Sequence, residues 1–276
     1  MLLRREGSSV LAIPQQSHAW ISGQLARAWG NEGFPAPEPR EEVCLAAEQH
    51  DVGMTAWDLE PALNPDTGLP HSFLEMPLEV HVRLWDAAPR RLLVQSRYAS
   101  LLVSMHGTRL YKRRNLDELD AEQAAAVRSY LEHQQRFQRD LIASLARDRL
   151  GAEWVKPGAL ERNSRLVWVW DWLSLTICQD WAPRTARVVP TRDGAVDVAI
   201  EPGPRPRTLT LEPWPFRAST VPVRCDGRRL EARFESEDEL RAALATAPGE
   251  VLALEFLSAS ADQAGAAEDR SSETWP

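Results

Sequence analysis

The sequence has few cysteines and few glycines, and each scarcity argues against a class of site. Cys44, Cys178 and Cys225 are an odd number and form no Cys-x-x-Cys pair. A disulfide framework or a zinc ribbon is therefore not expected, and a reducing cytoplasm fits the chain. The 14 glycines form neither a Walker loop nor a Gly-x-Gly-x-x-Gly run that would cradle nucleotide phosphates. The Gly-x-Ser-x-Gly pattern of serine hydrolases is absent as well.

The sequence also lacks a long apolar run and an excess of basic residues. It contains no stretch of about 18 apolar residues, which argues against a membrane span. Its first residues do not form the apolar core of a signal peptide. The formal net charge of −8 argues against nucleic-acid binding, which needs a basic surface. With 43% hydrophobic and 26% charged residues, the composition is typical of a soluble globular protein. Together with the cysteine usage it predicts a cytoplasmic protein, and the function proposed below predicts a small-molecule partner.

Hydrophobic periodicity predicts a helical part that begins after a short hairpin. Residues 1–13 predict two β-strands, and helical segments dominate from about 17 to 180. The segment 166–178 is ambiguous, because its tryptophans alternate as in a strand while its length and all-round apolarity suit a buried helix. We interpret it as a helix.

The composition and the predicted secondary structure change after residue 181, where prolines recur and short β-rich runs replace helices. Two of these runs are 221–224 and 230–234, and one helix is expected at 237–246. The sequence therefore predicts an α+β fold in which a small antiparallel β-unit packs on a helical domain. The predicted parts are 1–182 (helical domain with the hairpin), 183–257 (β-unit) and 258–276 (disordered tail).

The pair His50-Asp51 is the most informative local feature, because adjacent imidazole and carboxylate groups can bind one metal ion. A helix is predicted at 40–50 with His50 on its apolar face, and Gly53 is expected to stop that helix. Asp51 would then lie at the negative end of the helix dipole, where a carboxylate costs about 0.3–1 kcal/mol. A cation bound there would reverse that cost.

Three more histidines and one aspartate have apolar surroundings. His18, His81 and His106 each share a predicted helix face with apolar side chains, and the glycine after His106 is expected to end its helix. Asp171 is the only charged residue in 166–178. An ionised carboxylate in such a run is costly to bury unless it is paired or bound to metal.

Each of these residues also has an explanation that needs no metal. A single histidine on an apolar face is more often a hydrogen-bonded core residue, and Asp171 could pair with Arg165 or Arg162. Taken together, the group favours one or two divalent transition-metal ions. Imidazole and carboxylate ligands without thiolates suit Fe, Mn, Co, Ni or Zn, and the sequence does not choose among them.

The order His, His-Asp, His, His, Asp resembles that of the HD-domain superfamily of metal-dependent enzymes. The resemblance implies a mostly α-helical, HD-domain-like core. In single-metal members the ligands are a histidine, a His-Asp pair and a distant aspartate; the corresponding residues are His18, His50, Asp51 and Asp171. Two-metal members add two intervening histidines, which correspond to His81 and His106.

The chain resembles a second family over most of its length. The motifs Met-His-Gly-Thr at 105–108 and Trp-Pro-Phe at 214–216, together with the C-terminal part, are similar to the bacterial family of unknown function DUF3891. This resemblance extends from Met1 to about Leu257. It implies a fold and a candidate site, but no established activity.

These features favour a metal-dependent hydrolase that acts on a small phosphate-containing substrate. Asp51 would bridge two ions or orient a water, and His106 would hold the second ion or contact the phosphate. Arg109 and Lys112, in the basic run 108–114, could bind phosphate, although this run could equally be a solvated turn. Two alternatives stay open: a di-iron oxygenase of a small polar substrate, and a non-catalytic protein with a structural metal.

Overall fold

A computed structural model describes residues 1–231 and 233–258 and contains both helices and strands. Residues 259–276 of the predicted tail lie outside the described residues. The helices are α1 (Gln15–Ala28), α2 (Arg40–Glu48), α3 (Thr55–Leu59), α4 (Leu78–Leu93), α5 (Arg97–Lys112), α6 (Ala121–Leu145), α7 (Arg149–Trp154), α8 (Pro157–Cys178) and α9 (Glu237–Thr246). The strands are β1 (Leu2–Glu6), β2 (Ser9–Ile13), β3 (Leu63–Asn64), β4 (Leu69–Pro70), β5 (Arg184–Pro190), β6 (Ala195–Pro202), β7 (Thr208–Glu212), β8 (Thr220–Leu230) and β9 (Gly249–Leu257).

The main sheet has seven strands and draws on both ends of the described chain. Its order is β1-β2-β8-β9-β7-β6-β5, and β3 and β4 form a separate small pair. The pair β7/β9 is parallel, whereas every other neighbouring pair in the sheet is antiparallel. The predicted fold, a mostly α-helical HD-domain-like core with a small antiparallel β-unit at the C-terminus, is therefore wrong. Strand pairing between distant segments enlarges the sheet, and no local pattern in the sequence reports it.

The predicted hairpin at 1–13 is present, and its second strand joins the sheet at β8. Val10 pairs with Leu230, and Leu11 pairs with Arg229. Strand β8 extends from Thr220 to Leu230, so it contains the predicted run 221–224 but ends where the predicted run 230–234 was expected to begin. A Cβ atom at Gly227 would lie 2.8 Å from a methyl carbon of Leu11, so the glycine leaves the room that this close strand approach needs.

Helix α8 is the central helix of the molecule, which confirms the helical interpretation of 166–178. It packs against α1, α2 and α5 and also against β5. Pro157 occupies its first turn, where the missing N–H of proline costs nothing. Trp170 and Val167 are fully buried on it. Among the described helices, none has the length and apolarity to cross a membrane.

Two glycines let neighbouring helices approach the elements that carry the candidate site. A Cβ at Gly53 would lie 2.4 Å from the carbonyl oxygen of Leu84 on α4, which leaves no space for a side chain. Gly107 does not end a helix, as the sequence suggested, but lies inside α5. A Cβ there would lie 2.4 Å from the Tyr130 hydroxyl and 2.7 Å from the Trp85 ring. Gly107 thus makes room for aromatic packing beside His106.

Candidate metal centre

Five predicted ligand residues come together inside the helical layer. His18 lies on α1, His106 on α5 and Asp171 on α8, while His50 and Asp51 form the turn after α2. The three histidines are each 1% exposed, Asp51 is 6% exposed and Asp171 is 8% exposed. Elements from distant parts of the chain therefore hold a compact polar cluster in an otherwise apolar interior.

Asp171 lies at the centre of this cluster. Its Oδ1 is 3.3 Å from Nε2 of His18 and 3.3 Å from Nε2 of His50, and its Oδ2 is 3.6 Å from Nε2 of His106. Asp51 approaches the same imidazoles, with Oδ2 3.4 Å from Nε2 of His18 and 3.7 Å from Nε2 of His50. All three Nε2 atoms thus point toward carboxylate oxygens.

The backbone determines which nitrogen of His50 is available. Nδ1 of His50 donates a hydrogen bond to the Ala47 carbonyl oxygen at 2.8 Å. In the neutral ring, Nε2 therefore carries the lone pair. This atom is buried and has no hydrogen-bond partner among the described residues, although an Asp171 oxygen lies 3.3 Å away. A lone pair that faces a carboxylate is unfavourable unless a proton or a metal ion lies between them.

The pKa values report this crowding of acceptors. Burial alone would lower the pKa of His50, but the carboxylates of Asp51 and Asp171 raise it to about 9. Burial would likewise raise the pKa of Asp171, but its attraction to His50 and its hydrogen bond to His18 hold that pKa well below its ordinary value. In the absence of metal, a proton on His50 therefore compensates the central carboxylate.

The other two groups respond mainly to burial. Burial raises the pKa of Asp51, despite the opposing attraction of His50 and His18. Burial lowers the pKa of His106 to about 3, so this imidazole is neutral at physiological pH. A neutral imidazole has one nitrogen lone pair that it can donate to a metal ion.

The buried donors fall into two groups that could hold a metal ion. Two overlapping groups of ligand atoms each lie within 4.8 Å of one another: His18, His50 and Asp51 form one, and His50, His106 and Asp171 form the other. Both groups combine imidazole nitrogen with carboxylate oxygen, as transition ions in non-thiolate sites prefer. The unpartnered Nε2 of His50 provides a donor that a metal would satisfy. These buried groups could therefore hold a metal ion.

Comparison with known proteins identifies the family of the chain. Residues 1–232 match the model of the family described as protein of unknown function (DUF3891). The chain belongs to the DUF3891 family. The match confirms the predicted resemblance to DUF3891. It does not show membership of the HD-domain superfamily. No curated protein and no solved structure matches the chain. What this DUF3891 member does must therefore be argued from its site.

His81, the sixth predicted ligand, is not brought into the cluster of this DUF3891 protein. Its Nδ1 lies 2.6 Å from the Tyr111 hydroxyl, and its Nε2 accepts a hydrogen bond from the Trp85 indole at 2.9 Å. Burial, together with the charge of Arg114, lowers the pKa of His81 to about 4. Both nitrogens of this neutral ring are thus engaged. The spacing of four residues from His81 to Trp85 was the signal for this pairing.

The predicted phosphate-binding residues lie near the cluster on α5. Arg109 follows His106 by one helical turn and donates to Glu161 at 2.9 Å and to Ser164 at 3.3 Å. It lines a surface cavity of about 320 Å³ together with Lys112, which is exposed. The structure places both residues one to two turns beyond His106 and brings neither into the cluster.

Asp171 does not pair with an arginine, which was the alternative to metal binding. Its ion-pair partners among the described residues are the three histidines. Sequence reasoning missed two aromatic rings that enclose His106: the ring centroids of Trp85 and Trp168 lie 5.5 and 5.6 Å from that of His106. A signal was available for Trp168, which precedes Asp171 by three residues and therefore shares its helix face.

Proposed function

We propose that this DUF3891 protein is a metal-dependent hydrolase that acts on a small phosphate-containing substrate. The observation that supports this most strongly is the buried Nε2 of His50, which has no hydrogen-bond partner among the described residues and faces two carboxylates. The proposed ligands are His18, His50, Asp51, His106 and Asp171.

One ion fits this arrangement better than two. His50 belongs to both groups of ligand atoms but has a single available nitrogen, because its Nδ1 is bonded to the Ala47 carbonyl. His81, which would have completed a second site, is engaged by Tyr111 and Trp85. A second ion would therefore depend on His106 and shared oxygens alone. The proposed centre is mononuclear.

When bound, a divalent transition ion supplies Lewis acidity, which acidifies a water and offsets negative charge that develops on a phosphoryl group. The chain's own residues supply orientation and proton transfer. Asp51 and Asp171 are slightly less buried than the three histidines, so we assign the carboxylate side of the cluster as the side from which water and substrate approach. Burial raises the pKa of Asp51, and this carboxylate is the group we assign to accept a proton from water.

A charged neighbour supports phosphate as the substrate group. Arg109 lies on the same helix as His106, one turn further on. Burial is the main cause of the low pKa of His106; Asp171 opposes it, and the positive charges of His50 and Arg109 lower the pKa further. A guanidinium that close to the centre attracts anions and can bind phosphate oxygens with two N–H groups. Arg109 would position the substrate rather than take part in proton transfer.

Metal analysis followed by an activity panel tests the proposal. Protein purified without added metal is analysed for metal content. It is then treated with chelator, reloaded separately with Fe, Mn, Co, Ni or Zn, and assayed for phosphate release from phosphate monoesters and nucleotides. We expect about one ion per chain and metal-dependent release, which Asp51→Asn abolishes. His133→Gln is the matched control, because His133 pairs with Asp86 outside the cluster.

Other results would replace the proposal by one of its alternatives. About two irons per chain, with oxygen consumption and no phosphate release, would indicate an oxygenase. Metal that binds and stabilises the protein without any turnover would indicate a structural role. Absence of metal binding after reloading would show that these residues do not form a metal centre.

A further inference from the structure

A cavity of about 360 Å³ lies between helix α8 and strand β5, beside the metal centre. It combines basic and aromatic side chains, which is the composition of a site for a flat anion. The residues that define this arginine–tryptophan cavity are Arg113, Arg165, Trp168, Trp172, Arg187 and Val188.

The positive charge of this cavity is only partly compensated. Among the described residues, neither Arg113 nor Arg165 forms an ion pair, and Arg187 is paired at 3.2 Å with Asp197. The guanidinium of Arg113 lies 4.8 Å from the ring centre of Trp168. The pKa of Arg165 is lowered by burial first and then by the neighbouring positive charges. In a chain with a net charge of −8, such a local excess of arginine indicates an anion site.

A strained bulge shapes the strand side of the cavity. Val188 has a φ of 57°, a left-handed conformation that a β-branched residue rarely adopts. The pairing of β5 with β6 shifts between Ala186 and Val189. Asp197 holds the bulge, because its carboxylate accepts from the Val188 N–H at 2.8 Å and from Arg187 at 3.2 Å. Bulges of this kind often redirect a side chain beside a functional site, and here the redirected residue is Arg187.

The cavity and the metal centre lie on adjoining faces of α8, with Trp168 next to both. Trp168 lines the cavity, and its ring centroid lies 5.6 Å from that of the ligand His106. Trp172, which also lines the cavity, directly follows the ligand Asp171. Arg165 precedes Asp171 by six residues, which corresponds to about 9 Å along a helix. None of the proposed ligands lines the cavity, so an anion bound there by Arg165 would not be the phosphoryl group under attack.

We propose that the arginine–tryptophan cavity binds a second anionic group of the substrate, carried on a planar ring that packs against Trp168 and Trp172. This inference rests on the proposed function and narrows its substrate class. The substrates would be phosphate esters of ring compounds that carry a further carboxylate or phosphate on the opposite side of the ring from the scissile phosphate. Arg113, Arg165 and Arg187 would bind the remote anion, and the tryptophans would contact the ring.

Calorimetric titration of the chelator-treated full chain tests the cavity without the metal. The probe is phenylphosphonate, an aromatic anion that cannot be hydrolysed, and methylphosphonate is the probe without a ring. We expect phenylphosphonate to bind more tightly than methylphosphonate. Arg165→Gln and Arg113→Gln should each weaken phenylphosphonate binding about ten- to hundredfold, since each removes a charge-assisted interaction. Arg128→Gln, an exposed arginine on α6, is the matched control and should bind as wild type does.

Two outcomes would overturn the inference. One is that wild type does not bind phenylphosphonate. The other is that the Arg165→Gln and Arg113→Gln variants, confirmed as folded by their thermal melts, bind it as wild type does. If a glutamine variant does not fold, Arg165→Lys, which keeps the charge but not the planar guanidinium, should weaken binding less than tenfold. Equal binding of the two probes would show that the ring makes no favourable contact with the tryptophans.

A second measurement separates this inference from the proposed function. With the metal-loaded protein, kcat/KM for 4-carboxyphenyl phosphate should exceed that for phenyl phosphate, and Arg165→Gln should remove the difference. If neither ester is hydrolysed while metal-free protein still binds phenylphosphonate in an Arg165-dependent way, the hydrolase proposal fails and the anion site stands. If wild type and Arg165→Gln each hydrolyse the two esters equally well, the proposed anion site is refuted and the hydrolase proposal is kept.

Discussion

Replacing Asp171 with asparagine removes the charge around which the candidate centre is organised. The carboxylate oxygens of Asp171 lie 3.3, 3.3 and 3.6 Å from Nε2 of His18, His50 and His106. Asparagine has nearly the same shape but is neutral, so the change tests charge rather than packing. If these residues bind a metal ion, Asp171→Asn should weaken that binding strongly while the helices stay in place.

The size of the effect follows from electrostatics. Two unit charges about 4 Å apart interact by about 4 kcal/mol at an effective dielectric constant of about 20. A divalent ion in contact with the carboxylate interacts at least as strongly, so about 4 kcal/mol is a conservative loss, equivalent to roughly a thousandfold in Kd. Metal at about a hundred times the wild-type Kd stabilises the folded state by about 2.7 kcal/mol. For a chain of this size, that corresponds to an increase in Tm of about 5–10 °C.

Competition titration with a chromophoric chelator measures the change in Kd, and thermal melts with and without metal measure the stabilisation. Wild type should melt about 5–10 °C higher with metal, whereas Asp171→Asn at the same metal concentration should show almost no increase. Asp140→Asn, an exposed aspartate on α6, is the control and should behave as wild type. If Asp171→Asn keeps its metal affinity within tenfold of wild type, Asp171 is not a ligand and the centre as described is refuted.

Three further predictions concern residues around the centre. Metal titration of wild type should saturate at about one ion per chain, and His81→Gln should bind the same number, because both nitrogens of His81 are engaged elsewhere; saturation near two in wild type would contradict this. The pKa of His81 is lowered to about 4 by burial, and by Arg114 in addition. The unfolded chain therefore binds more protons between about pH 6.5 and 4, so the free energy of unfolding should fall by up to about 3 kcal/mol as pH drops through that window, and denaturant titrations should show a shallower fall for His81→Gln. Gly107→Ala should destabilise the protein by about 1–3 kcal/mol in denaturant unfolding, despite the better helix propensity of alanine, because its Cβ would lie 2.4 Å from the Tyr130 hydroxyl and 2.7 Å from Trp85; an unchanged or higher stability would show that the two rings move aside.

Local patterns in the sequence carried most of the information about the site. The His-Asp pair after a helix and the single carboxylate in an apolar helix both mark side chains that need a compensating charge. The structure brings His18, His50, Asp51, His106 and Asp171 together because each lies on the inner side of its helix or turn. A helix face can be read from a spacing of three and four residues, so these five positions could be predicted without knowledge of the sheet.

The strand order and the position of His81 could not be predicted in the same way. The partner of Val10 is Leu230, and no local pattern states which of several similar strands the hairpin will join. His81 has the right spacing and apolar neighbours for a ligand, but a tryptophan four residues later takes its Nε2. The inner face of a helix holds both ligands and hydrogen-bonded core histidines, and only the three-dimensional arrangement separates the two.

Helix α8 explains why the sheet matters for a site whose proposed metal ligands lie outside it. Arg165, Trp168 and Trp172 recur at spacings of three and four residues, so they form one stripe along α8, and Asp171 lies beside that stripe. Asp171 meets histidines from α1, the turn after α2 and α5, whereas the arginine and the tryptophans of the stripe line the cavity with the bulge of β5. The helices therefore bring together the proposed ligands, whereas the sheet provides the opposite wall of the cavity in which we place the remote end of the substrate. A variant that removes the acceptor holding the bulge, Asp197→Ala, should consequently weaken phenylphosphonate binding and leave the metal Kd unchanged; a matching loss of metal affinity would show that the two sites are not separable.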